Sequence, residues 1–231
     1  MRSIKIVLPV KLLVTLHLTM VNSYASYKHP IAKTDALHSL RMAAAPTDTQ
    51  PTPPQPEVDY LSFKADLNLR RQFTQQFIDR IQSQNPLGAE ALITLQAQGD
   101  IIATIETTLA AKNLTVTHLA DAYTVWWVSM WQAAQGKPYE LNRETAQAVR
   151  QQATQALLKT GVFKTTPDGS KQELAETLLL QALLLDTTLT HVHSNPSLLQ
   201  QLSESVLNEA QQSGLALDQM TLTPKGFVPT R

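Results

Sequence analysis

The chain has 231 residues and a mass of 25.6 kDa, with 19 basic and 19 acidic side chains and no cysteine. Disulfides, thiolate metal sites, cysteine nucleophiles and a lipidated cysteine are thereby excluded. A neutral balance without a basic stripe excludes a general nucleic-acid binder, and 43 % hydrophobic residues against 16 % charged give ample material for one packed domain.

Residues 1–25 read as a secretory signal. Arg2 and Lys5 form a basic start, and an apolar stretch runs from Ile6 to Val21 with Lys11 and His17 inside it. Ser23, Tyr24 and Ala25 then place small residues where a signal peptidase inspects the chain, so cleavage is expected after Ala25. The rival reading, an uncleaved anchor, needs ~20 mostly apolar residues, which this stretch does not supply. Loss of residues 1–25 leaves 16 basic against 19 acidic groups, a net charge of −3. An exported location, periplasmic or secreted, follows from this reading. The membrane is met only through the signal segment, and an exported chain without cysteine must hold its fold by packing alone.

Residues 26–57 read as a disordered Pro-rich linker. Pro46, Pro51, Pro53, Pro54 and Pro56 remove backbone donors and favour extended chain. A short helix over residues 29–41 has no face to bury. The segment reads as a spacer, the alternative being a Pro-rich ligand for a partner domain.

From residue 58 to residue 231 helical periodicity dominates. Leu69, Phe73, Phe77 and Ile81 recur every four residues and predict a helix near 67–82, broken by Asn85 and Pro86. A second helix is expected over 87–98, capped by Gly99. A third opens at Asp100 with Ile101, Ile102, Ile105 and Leu109 inward, and ends through a left-handed Asn113. The fourth holds all three tryptophans, Trp126, Trp127 and Trp131. Thr115 or Thr117 is its expected N-cap and Gly136 its end. Its broad apolar arc predicts a central helix.

A fifth helix is expected over 143–160, capped by Asn142, with Ala146, Val149, Ala153, Ala156 and Leu157 as a small-residue face. A loop over 161–170 precedes the sixth, where Ser170 and Glu173 suggest a capping box. Leucines crowd that helix from Leu174 to Leu189, so it reads as the buried axis, though too short and too polar at its ends to cross a membrane. Pro196 starts the seventh and Gly214 ends it. The tail 215–231 offers Leu217, Leu222 and Phe227 as a strap. The fold class is therefore all-α, an irregular or orthogonal bundle of about seven helices. No repeat near 34 or 40 residues supports a solenoid.

Candidate chemistry is sparse. His118 and Asp121, three residues apart, could orient a general base, yet Asp121 also suits a helix N-terminus. Glu176 pairs with Glu173 as a possible carboxylate couple, but reads more simply as a solvated residue at the edge of the apolar arc. His191 and His193 point about 200° apart on a helix and read as end-of-helix residues, with no metal site implied. Tyr123 and Trp131 are the candidates for ligand or partner binding, Trp131 being nearest the helix end. Arg70 and Arg71 read as a solvated basic pair. Seven scattered glycines build no phosphate loop, and no cofactor is implied.

At the tryptophan helix the run Leu119 to Tyr123, followed by Trp127, Trp131 and Gly136, resembles a bacterial exported family catalogued as domain of unknown function 6683. The segment from Gln172 to Glu176 and the terminal run from Leu222 to Phe227 are similar in position and type. The resemblance spans residues 67–228. It implies a helical exported domain without an assigned activity, so no catalytic residue is carried over from it. The functional expectation is a non-enzymatic binding or structural module with a protein partner in the cell envelope. The alternatives are a hydrolase built on His118, Asp121 or Glu176, or a peripheral membrane protein with an exposed aromatic patch around Trp131.

Overall fold

A computed structural model describes residues 59–212 and 214–230. The signal segment with its cleavage at Ala25, and the Pro-rich segment 26–57, lie outside the described residues. Seven α-helices follow in order: α1 (Leu67–Gln82), α2 (Pro86–Gln98), α3 (Ile101–Ala110), α4 (Leu119–Gln135), α5 (Arg143–Lys159), α6 (Asp168–Val192) and α7 (Pro196–Gln212). A hairpin of β1 (Met220–Thr223) and β2 (Gly226–Pro229) closes the chain. The domain is all-α apart from this ribbon.

Capping chemistry sets most boundaries. Asp66 accepts from the Asn68 and Leu69 amides at the start of α1, and Asp100 does the same for Ile102 and Ala103 at α3. Asn142 accepts from Thr145 N–H at α5, and Pro196 occupies the first position of α7. Gly136 ends α4 in the left-handed region at φ +61°, and Asn113 adopts φ +57° after α3.

The α4–α6 contact is the most extensive in the domain, and α5 and α7 pack on the other sides of α4. Helix α6 also takes α1, α3 and α7, so these two helices form the interior axis. Trp126 and Trp127 are 1 % and 0 % exposed. Burial of a tryptophan of this kind contributes roughly 4–6 kcal/mol from area alone. Neither indole N–H finds an acceptor among the described residues, which offsets part of that gain. The small face of α5 is fully enclosed, as its alanines at 146, 153 and 156 predict. Among the described residues no helix is long and apolar enough to cross a membrane.

Several local readings are corrected. Helix α4 is capped at His118 and not at Thr115 or Thr117. An antiparallel bridge between Ser62 and His118 holds that segment extended. Phe63 N–H donates to Thr117 O over 3.1 Å, and Leu119 N–H to Leu61 O over 2.9 Å. Helix α6 starts at Asp168, so Ser170 sits inside its first turn and makes no capping box. Tertiary contacts favour the earlier start: Asp168 accepts from Lys64 N–H at 3.0 Å, and Lys171, one turn on, donates to Ser62 O at 2.9 Å.

The tail is a strap, as expected, but it is built as a β-ribbon. Leu222 pairs with Phe227 and Thr223 with Gly226. Phe227 stacks on Trp127 with ring centroids 4.5 Å apart, and Trp131 donates its indole N–H to Met220 O at 2.9 Å. The Gln152 amide of α5 takes both backbone groups of Phe227, donating to its carbonyl at 2.8 Å and accepting from its N–H at 2.9 Å. Gly226 is required here twice over: its φ is +90°, and an added Cβ would stand 2.5 Å from Gln152 Oε1.

Candidate functional site

Three polar or concave features arise from this packing. The first follows from the Ser62–His118 bridge. His118 is 8 % exposed, with Nε2 3.3 Å from Asp59 Oδ1 and Nδ1 3.3 Å from Asp121 Oδ1. The second contact is a close approach without the alignment of a hydrogen bond. Asp121 Oδ2 accepts from Thr115 N–H at 2.8 Å, and Arg150 of α5 binds Oδ1. Burial pushes the Asp121 carboxyl up, but His118, the Thr115 amide and Arg150 outweigh it and hold the carboxyl below its usual range. His118 and Asp121 are thus brought together as the sequence suggests. Ser62, across the bridge, turns its hydroxyl to the Asp59 carbonyl oxygen and offers His118 no nucleophile. The cluster fastens the start of α4 to α5 and to the segment before α1.

The second cluster corrects two readings. Arg70 is buried, not solvated. Its Nε donates to Glu176 Oε1 at 2.9 Å and its Nη1 to Asp100 Oδ2 at 2.9 Å. Glu176 is 1 % exposed rather than at a wet edge. Gln172 Nε2 also donates to Glu176 Oε1, at 3.0 Å, while its own carbonyl oxygen accepts from Asp66 N–H. Burial raises the Glu176 carboxyl above its ordinary value despite Arg70 and Gln172. Burial opposes the Arg70 charge, yet its two carboxylate partners keep it firmly protonated. Glu176 therefore belongs to a different cluster from His118 and Asp121. Arg71 stays at the surface as read.

The third feature is a cleft of about 390 Å³ between α3, α4, α6 and the segment 138–141. Ile105 and Leu109 of α3, Val125 and Val128 of α4, and Leu179 and Leu183 of α6 supply apolar wall. Asp186 stands among them, one turn beyond Leu183 on the same face of α6. Its Oδ1 is buried and has no hydrogen-bond partner among the described residues. Burial pushes its carboxyl up to about 6, opposed only by the Ser129 hydroxyl. Lys112 and Glu140 lie on the lining as well. Gln132 is engaged, since its side-chain oxygen accepts from Tyr139 N–H at 2.7 Å.

Sequence reasoning missed Asp186 and this cleft. The available signal was an acid at positions i+7 and i+3 from Leu179 and Leu183, inside a run of leucines.

The aromatic candidates are placed otherwise than as surface anchors. Tyr123 is 4 % exposed, edge-on to Trp126 at 5.4 Å, and burial raises its phenol strongly. Trp131 is half-buried beneath the C-terminal ribbon, with Tyr139 6.0 Å away edge-on. Among the described residues the large apolar side chains left exposed are Leu67, Ile93 and Leu95, none of them aromatic. His191 and His193 are exposed at the end of α6, His191 Nδ1 lying 2.8 Å from Thr187 O. Among the described residues no group of three or more ionisable side chains is arranged to hold a metal ion.

No curated protein and no solved structure matches the chain. A model of the family of unknown function DUF6683 matches residues 16–230. That match takes in α1 to β2 whole, and the chain belongs to this family.

Proposed function

We propose that this protein is an exported, non-catalytic binding module, which takes a ligand of largely apolar character in the cleft between α3, α4 and α6. The observation that carries the reading is that cleft: about 390 Å³, walled by aliphatic side chains, within the size range of small-molecule sites. The groups suited to acid–base work favour binding over catalysis. His118 and Asp121 are held with Arg150, and Glu176 is held separately with Arg70 and Gln172. The signal-like segment 1–25 and the Pro-rich stretch after it support an envelope location with the domain held on a spacer.

Calorimetric titration with n-hexanol tests the reading, using the chain purified as cells mature it. The alcohol is expected to bind saturably. Leu183→Trp, which fills the cleft, is expected to weaken it about five-fold or more, roughly 1 kcal/mol. No saturable binding, or equal binding to the filled variant, overturns the reading.

A further inference from the structure

The cleft is apolar along its walls, with Asp186 set among them. Among its lining residues Asp186 and Glu140 are acids and Lys112 is the single base. Asp186 projects from α6 between Leu183 and Leu189, faced across the cleft by Ser129 of α4. One carboxylate oxygen has the Ser129 hydroxyl to oppose desolvation, and Oδ1 has no partner. Lys112 makes no ion pair with it. An ionised carboxylate removed from water and left without a partner is strongly unfavourable, and a bound cation that also donates hydrogen bonds relieves this.

We propose that the cleft is a binding site for an amphiphilic amine, a small molecule whose ammonium group pairs with the Asp186 carboxylate and whose hydrocarbon body lies between α3, α4 and α6. The ammonium supplies up to three donors to a carboxylate that otherwise has the Ser129 hydroxyl, and the aliphatic walls remove the chain from water. The lining's excess of acid over base disfavours fatty carboxylates. The volume admits a chain of several carbons. This proposal rests on the binding reading above and adds the head group that the site selects.

The test compares three probes of one chain length, n-hexylamine (protonated at neutral pH), n-hexanol and n-hexanoate, by calorimetry at neutral pH. The ammonium probe is expected to bind about ten-fold tighter than the alcohol, and hexanoate more weakly than either. Asp186→Asn is expected to abolish the ammonium preference, bringing the ratio of n-hexylamine to n-hexanol affinity to about one. Circular dichroism of that variant confirms that the comparison is between folded proteins. Equal affinity for amine and alcohol overturns the proposal and leaves the apolar-ligand reading standing. A preference that survives Asp186→Asn overturns it by placing the cation elsewhere. Failure of all three probes overturns both readings. A dimer that Leu183→Glu dissociates assigns the cleft to a second copy of the chain and likewise overturns the proposal.

Discussion

Arg70 Nε lies 2.9 Å from Glu176 Oε1, joining the first helix to the central one through a pair of charges that are both almost wholly enclosed. An enclosed pair is easily broken and hard to replace by halves. Arg70→Met is expected to cost about 3 kcal/mol in urea unfolding at pH 7, because the Glu176 charge is left alone. The loss should shrink as pH falls. Burial already raises the Glu176 carboxyl, so the native state takes up its proton before the unfolded chain does. Adding Glu176→Leu to Arg70→Met should restore most of the stability. A double variant no better than the single one would contradict this account.

Asp121 carries the opposite sign. Its carboxyl is held below the usual aspartate range by His118, the Thr115 amide and Arg150, against burial. A depressed folded pKa contributes stability above the unfolded value, which is lost as pH falls through the folded one. Asp121→Asn is therefore expected to cost about 2 kcal/mol at pH 7. Chemical unfolding at pH 7 and at pH 2.5 should show that difference fading in acid.

Asp186 reverses the direction again. Burial pushes its carboxyl up to about 6 in the fold, from an ordinary aspartate value of about 3.9. Its drag on stability is absent in acid, grows as pH rises from about 3.9 to about 6, and is complete above that. Asp186→Asn is expected to gain about 2 kcal/mol at pH 7.5 and close to nothing below pH 4. Thermal unfolding at the two pH values checks the sign: the variant's melting point should rise by several degrees at pH 7.5 only.

The ribbon is integral to the core through Phe227, 0 % exposed against Trp127. Phe227→Ala is expected to cost about 3–5 kcal/mol. Tryptophan fluorescence of the folded variant should also change, because Trp127 loses its stacking partner. A surface strap would show neither effect.

Export is checked by mass. The chain recovered from the periplasm or medium is expected to begin at Ser26, with residues 1–25 removed. A full-length chain in the membrane fraction would instead favour the anchor reading.

The sequence made much of this domain legible because local chemistry and tertiary packing agree at most helix ends. Asp100, Asn142, Pro196 and Gly136 act where their side chains or missing side chains predict. The dense leucines and the tryptophans form the central pair for the same reason: each helix is apolar over too wide an arc to face water. The failures are non-local. The Ser62–His118 bridge joins segments far apart in sequence, and it overrides the local cap signal of Thr115 and Thr117. The start of α6 is moved by Lys64, which lies 104 residues earlier. Arg70 reads as solvent-facing until Asp100 and Glu176, from two other helices, are known to meet it. Of the candidate site, His118 and Asp121 were legible as neighbours because they share one helical turn. The cleft was not, because its walls come from three helices and a loop.

Gln152 has a consequence beyond holding the tail. With its amide it impersonates the backbone of an adjacent strand, occupying the N–H and C=O that Phe227 would otherwise display along the rim of β2. A two-stranded ribbon with a bare rim is a template on which other chains can polymerise. One glutamine side chain blocks that growth at its centre, and Gly226 leaves the room in which it does so.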